Sequence, residues 1–495
     1  MIEIKDLGTQ AGLVGFGRSF YVLSIFILNI GLARSMGTVA FGSFQQVFMF
    51  SALFIILTMG IPETMYFFLP RLTSEERARF LGQTLLVLAV TGVCIIVLFW
   101  FGAPFFAHIQ KNSSIVPQIR VFGIYGGFLV ASSFSDPIFI TFKRIRYLFT
   151  LSILHAFFFI ALTIWYSIME SSPYILFAAM AGFGLFKYLL AISLLISLRT
   201  NIGEIHFFRG TSMLLLQLSF SLPIALSSAI DIISRWLDKF VVSIFLGTES
   251  LGIFFVGAIE IPFIGVIVSS VYSVVSPVLN TLHHKNDIEG FVNLTSKTLK
   301  FIAKFVWPVF IYLFVFADRI IPLVFKSEFQ GAVTPFRIYL LIMPLRIALY
   351  GAIIIALGRP RVVLWSACVA LIINFVLNIL LVLSIGFIGP AIATVISTYI
   401  HIFLLLYIIL KELNVRAEDL IPFNFFFALG ITCGLSVMFA YAVTHAFDND
   451  LKSVVYSLII FSGSYLFLGS KAGFIHITDF VEFVKSGFSG KKFDS

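Results

Sequence analysis

Charge, cysteine and long polar loops are all scarce in this chain, and each scarcity removes a class of function. Only 12% of the 495 residues are Asp, Glu, Lys or Arg, about half of what a soluble domain carries. Hydrophobic residues make up 60%, Phe alone numbers 60, and the mean hydropathy is +1.05. A chain so composed has lipid as its solvent. The three cysteines, Cys94, Cys368 and Cys433, each sit inside an apolar run without paired spacing, so neither a disulfide framework nor a metal site is expected. The histidines are too scattered to suggest metal ligands. No glycine-rich loop with a following Lys offers a phosphate cradle, so direct ATP use is not expected and no cofactor is implied. The first apolar run follows Lys5, which lies between Glu3 and Asp6, and no small-residue cleavage site ends it. It is expected to stay in the protein.

What is present is a series of fourteen apolar windows, each long enough to span a bilayer. They lie near 12–33, 42–69, 80–106, 117–142, 147–169, 174–198, 213–246, 251–280, 302–325, 335–357, 362–384, 388–410, 423–446 and 453–470. The runs are continuous and too long for the alternating strands of a membrane barrel. An all-α, polytopic membrane protein of about 14 transmembrane helices is expected. With the N-terminus inside, 21 of the 33 Lys and Arg fall on inner loops and margins and 7 on outer ones. Both termini therefore read as cytoplasmic. The net charge of +9 is mostly this inner bias, which favours anionic inner-leaflet lipid as a partner and gives no support for nucleic acid.

Met36-Gly37-Thr38, followed by Gly42 and Phe44, recurs 210 residues later as Leu246-Gly247-Thr248, Gly252 and Phe254. Arg144 and Arg146 match Arg359 and Arg361 at an offset of 215. A fixed offset inside apolar sequence points to two like bundles of six helices with the same topology. The expected organisation is an N-terminal lobe over 1–200, a C-terminal lobe over 201–411, and two further helices with a cytoplasmic tail over 412–495. Locally, the glycines also suit tight outer turns.

Five stretches carry a resemblance to a known family. They are Leu32-Ala-Arg34-Ser-Met-Gly37 with Phe41-Gly42; Leu237-Asp238-Lys239 with Leu246-Gly247 and Leu251-Gly252; Ala356-Leu-Gly358-Arg359; Asn374 with Leu377-Asn378; and Gly386-Phe-Ile-Gly389-Pro-Ala-Ile-Ala393-Thr. In this order they resemble the multidrug/oligosaccharidyl-lipid/polysaccharide exporter superfamily, in its polysaccharide transporter branch of O-antigen type flippases. The resemblance implies two lobes around a central cavity, and export by alternating access of a polyprenyl-diphosphate-linked oligosaccharide across the cytoplasmic membrane. It implies no covalent chemistry, and therefore a protein that is not an enzyme. It further implies that the last two helices form a groove for the polyprenyl tail, and that glycan polymerases and glycosyltransferases are the protein partners. A drug or cation antiporter of the same superfamily is the first alternative. A membrane glycan polymerase or glycosyltransferase is the second, and the short outer loops speak against it.

Ionisable groups inside the spans cost about 2.5–3.5 kcal/mol each on insertion scales, so they are kept where they face protein, water or cargo. Arg18, Lys187, Arg235, Lys239 and Arg346 are the cations, and Asp231 and Asp238 join them as candidates for cargo binding. Asp231, Arg235 and Asp238 fall at i, i+4 and i+7, one stripe of a helix. That stripe is either a cavity face for phosphate and sugar or an internal salt-bridge ladder. Arg346 has no carboxylate within a turn of its own helix, which favours a cargo role, whereas Arg18 is close enough to the inner end to snorkel. Glu63, Asp136 and Glu260 each sit within two residues of a proline, where a freed carbonyl permits a bend. They are the candidates for ion coupling, or else they pair with nearby cations.

Overall fold

A bilayer offers no water to an unpaired backbone group, so a spanning chain must close its hydrogen bonds within itself. The computed structural model describes residues 4–169, 172–198, 212–444 and 451–473, and among these every regular element is a helix. Contacts divide the chain into two compact units, Met1–Gly252 and Ile253–Ser495. The first unit holds α1 (Ile4–Phe48), α2 (Ser51–Leu57), α3 (Ile61–Phe68), α4 (Ser74–Ile109), α5 (Val116–Ala131), α6 (Ser135–Thr141), α7 (Ile145–Met169), α8 (Pro173–Ile196) and α9 (Ser212–Leu246). Helix α10 (Thr248–Gly257) begins in the first unit and ends in the second. The second unit continues with α11 (Pro262–His284), α12 (Ile288–Val315), α13 (Ala317–Phe325), α14 (Val333–Leu340), α15 (Tyr350–Ala356), α16 (Pro360–Ile385), α17 (Gly389–Leu413), α18 (Ala417–Leu420), α19 (Phe423–Thr444) and α20 (Leu451–Lys471).

Among the described residues, eleven helical stretches are long and apolar enough to cross a membrane. Two of them, 13–68 and 360–413, exceed any single crossing. Each turns back at a glycine in the left-handed region, Gly37 at φ 73° and Gly386 at φ 68°. In the first, Gln45 Nε2 donates to Asn29 Oδ1 at 2.6 Å, although a straight helix would separate those residues by about 24 Å. In the second, Asn374 Nδ2 donates to Ser397 Oγ at 2.7 Å, where a straight helix would demand about 35 Å. Each reversal adds a segment. The tenth window, split into α14 and α15 by the non-helical stretch after Leu340, adds the last of the fourteen read from hydropathy.

The expected boundary between the lobes, between residues 200 and 201, lies outside the described residues. Contacts divide later in the chain because α9 packs into the first unit at two buried polar clusters. Gln217 Nε2 donates to Thr64 Oγ1 at 2.8 Å and to Thr84 Oγ1 at 3.1 Å. Near the other end of α9, Ser243 Oγ donates to Gln110 Oε1 and accepts from Gln46 Nε2 at 2.9 Å. These side chains are buried, and an unsatisfied amide there would cost about 1–3 kcal/mol. In the second unit, α19 and α20 dock on α12. Tyr312 Oη donates to the Val454 carbonyl at 3.0 Å, Tyr465 Oη to the Lys304 carbonyl at 2.7 Å, and Tyr312, Phe316, Val437, Ala440 and Phe461 form a shared apolar cluster. Outside these contacts, large apolar side chains such as Phe101 and Phe427 are exposed, as a lipid-facing surface requires.

The repeated glycines do more than end helices. A Cβ on Gly42 would lie 2.0 Å from the Thr248 carbonyl oxygen, and one on Gly252 would lie 2.2 Å from the Thr38 carbonyl oxygen. The two copies of the motif thus pack on each other reciprocally within the first unit, backbone against backbone, as small residues allow at membrane helix contacts. Thr38 Oγ1 completes the contact by donating to Glu249 Oε1 at 3.3 Å. Gly42→Ala and Gly252→Ala should each lower the unfolding midpoint in detergent, in line with overpacking costs of about 1–3 kcal/mol. Gly15→Ala is the control, because its Cβ meets nothing within 4 Å. Equal midpoints for all three variants would refute the close-approach reading.

Candidate functional site

Proline and glycine open the second and fourth windows of the first unit midway through their length. Gly60, at φ 64°, ends the turn before α3, and Pro62 follows in the first turn of that helix. In the fourth window the helix stops at Ala131, and α6 restarts at Ser135 with Asp136 and Pro137 in its first turn. Ser132 and Ser133 turn their hydroxyls onto the Leu129 and Val130 carbonyls at 2.9 and 2.7 Å. A proline lacks the amide that would continue the ladder, so both breaks follow from the local sequence.

Between these breaks lies a cavity of about 670 Å³. Its lining includes Arg18 from α1, Glu63 and Tyr66 from α3, Asp136 from α6 and Lys187 from α8. Four of the charges singled out from sequence, on four separate helices, therefore meet in one place. Arg18 Nη2 donates to Asp136 Oδ2 at 3.0 Å, with the side chains 53% and 45% exposed. An ion pair this open to the cavity is held weakly. Lys187 is half-buried, and its Nζ donates to His155 Nδ1 at 3.5 Å. Among the described residues Glu63 has no ion-pair partner within 4 Å. The cavity holds two cations and two carboxylates, so its formal charge is balanced.

The other candidates lie elsewhere. On α9, Arg235 pairs with Asp231 one turn away, and Lys239 Nζ lies 3.4 Å from the buried Asp238 Oδ1 and donates to the Arg235 carbonyl at 3.1 Å. Arg235 thus takes the carboxylate on its N-terminal side. These contacts have the form of the salt-bridge ladder weighed for this stripe, while Arg235 and Asp231 stay more than half exposed. None of these four side chains lines the cavity of Arg18. In the second unit, Arg346 Nη1 donates to Glu260 Oε1 at 3.1 Å, and both are largely exposed. Arg346, expected within a helix, stands instead in the non-helical stretch between α14 and α15, and its partner comes from the break between α10 and α11, 86 positions away in sequence.

Sequence reading did not single out Tyr66 in the lining, nor His155, Tyr125 and Tyr21, which cluster behind Lys187. His155 is 2% exposed; its Nε2 is 3.1 Å from Tyr125 Oη, and its ring packs at 4.6 Å from that of Tyr21. A histidine in mid-span was the available signal, but its value lies in contacts with helices 30 residues either way. The pairing of Arg18 with Asp136 predicts coupling. Arg18→Gln should lower the thermal midpoint in detergent, and adding Asp136→Asn should recover most of the loss, with a coupling of about 0.5–1 kcal/mol. Strictly additive losses would mean that the two groups do not interact in solution.

Comparison with known proteins agrees with this architecture. A family model described as polysaccharide biosynthesis protein matches residues 31–334. A probable low-salt glycan biosynthesis flippase, Agl15 of Haloferax volcanii, is 26% identical over 170 residues, 33% of this chain and 35% of the relative. The match thus spans about a third of that relative's length. Among solved structures, the lipid II flippase MurJ in an inward closed conformation superposes with a TM-score of 0.73 at 17% identity, covering 92% of this chain and 98% of that one. An inward-facing multidrug resistance MATE family transporter of the MOP superfamily gives 0.59 at 16% identity, covering 81% of this chain and 96% of that one. At these identities the structural likeness establishes a shared fold.

Proposed function

We propose, from the premise that this chain belongs to the polysaccharide biosynthesis protein family, that it is a flippase carrying a polyprenyl-diphosphate-linked oligosaccharide from the inner to the outer leaflet of the cytoplasmic membrane. Both termini lie on the cytoplasmic side in this reading, and the product serves surface polysaccharide assembly. Its neighbours in that process are the glycosyltransferases that build the glycan and the polymerase that extends it. The chain itself makes and breaks no covalent bond.

The observation that carries the reading is the half-exposed ion pair of Arg18 and Asp136 beside Lys187 in a cavity opened by two broken helices. Arg presents a planar fork of five N–H donors that fits phosphate oxygens in bidentate fashion. Asp136 holds that fork and spares the membrane an unpaired cation. An incoming diphosphate displaces the carboxylate, takes the Arg18 fork, and adds the Lys187 ammonium. The displaced Asp136, like the nearby Glu63, then needs a proton or a monovalent cation from the aqueous side, which gives the cycle a route to ion coupling. Arg346 with Glu260 has the same elements and serves the same purpose in the second unit. Arg235 and Lys239, with Asp231 and Asp238, offer a further phosphate or sugar contact along α9.

A clean deletion, in a strain without a redundant exporter, should leave lipid-linked glycan on the cytoplasmic leaflet and remove surface polysaccharide. Normal surface glycan in that strain would sink the reading. Arg18→Gln/Asp136→Asn should keep the protein abundant, because no charge is orphaned, yet reduce export about tenfold or more, while Arg18→Lys retains part of it. Full export by the doubly neutral protein would remove the exchange mechanism.

A further inference from the structure

We infer that His155 is a positioning residue that aims the Lys187 ammonium into the cavity for the anionic diphosphate of the cargo. This rests on the flippase reading above and assigns a role to a side chain that touches no cargo. Lysine carries only donors when charged, so the contact from Lys187 Nζ to His155 Nδ1 at 3.5 Å requires Nδ1 to accept. The proton of the ring then sits on Nε2, from which it is donated to Tyr125 Oη at 3.1 Å. One tautomer satisfies both ends, and it is neutral. A doubly protonated ring would turn an N–H toward the ammonium and lose the contact.

The surroundings hold this geometry. The His155 ring is packed against Tyr21, Phe159 and Phe183, with centroids at 4.6, 4.8 and 5.0 Å. Three aromatic neighbours fix its plane, and Tyr125 fixes which edge faces Lys187. The groups facing this cluster are Tyr21 from α1, Tyr125 from α5 and Lys187 from α8, with Asp136 across the cavity. A long lysine side chain has high rotamer entropy and would otherwise sample many directions. Holding it by a neutral acceptor leaves Lys187 without a carboxylate in hydrogen-bond contact, in contrast to Arg18, which Asp136 holds. The cavity, formally balanced with Glu63 on the same lining, therefore offers an incoming anion one cation held by a carboxylate and one held by a neutral ring.

A purified-protein assay separates this role from mere packing. The probe is a short polyprenyl diphosphate, farnesyl diphosphate, titrated into detergent-solubilised protein and followed by native mass spectrometry. His155→Phe, of similar size but without an acceptor, should weaken probe binding about tenfold, as should Lys187→Gln. The double variant His155→Phe/Lys187→Gln should bind no worse than Lys187→Gln alone, since both act through one ammonium. His155→Asn, which restores an acceptor near the Nδ1 position, should bind within about threefold of wild type. Equal binding by His155→Phe and wild type would overturn the role of His155, as would a further loss in the double variant. Failure of the wild type to bind the probe would instead overturn the cargo reading on which the inference stands.

Discussion

An arginine within a span is costly without a partner, and that constraint shapes the molecule around the places where helices break. An unbroken apolar helix satisfies its own backbone and asks nothing of its neighbours. Each of the three arginines singled out within the spans meets a carboxylate from another element or from an adjacent turn: Asp136 for Arg18, Asp231 for Arg235 and Glu260 for Arg346. Two of those carboxylates stand at helix breaks beside prolines. The breaks free backbone groups, admit a cavity, and present the acid in the first turn of a restarted helix or just ahead of one. Helix irregularity and charge compensation are therefore one feature seen at two scales.

Neutral polar groups do the complementary work of fastening. The amide clusters around Gln46 and Gln217 hold α9 to the first unit without any net charge. Buried amides of this sort are satisfied only in one arrangement, so they specify how helices fit where apolar surface alone would let them slide. The reciprocal approach of Gly42 and Gly252 to the Thr248 and Thr38 carbonyls works in the same direction by shape. In these contacts packing specificity is supplied by amides, hydroxyls and glycine rather than by ion pairs.

Much of the fold was legible because hydropathy and glycine report on local events. The fourteen windows are recovered once the hairpins at Gly37 and Gly386 are recognised; across the second hairpin Asn374 reaches Ser397, and Asn378 holds the Asn374 side chain from one turn away on the same helix. The site was legible only as a set of residues. Sequence spacing exposes partners within a helical turn, and so it found Asp231 beside Arg235. It could not find Asp136 for Arg18 or Glu260 for Arg346, 118 and 86 positions apart, because only the folded packing brings those helices together. The same limit hid His155, whose meaning depends on Tyr125 and Lys187 from two other helices.

The repeat gives these pairs a deeper regularity. Asp136 and Arg346 are separated by 210 positions, the offset that also relates Gly37 to Gly247 and Gly42 to Gly252. Both stand near the break of their window, the fourth and the tenth. One is acidic and meets a cation from α1; the other is basic and meets a carboxylate from the break between α10 and α11. At the same frame position the two breaks thus carry opposite charges, each with a partner drawn from a window that does not correspond to the other's. Each is paired because a lone charge of either sign would be costly at that depth. The sign itself is free to differ, since compensation requires only that the partner be opposite. Either sign can therefore stand at such a break without a change in the helices around it.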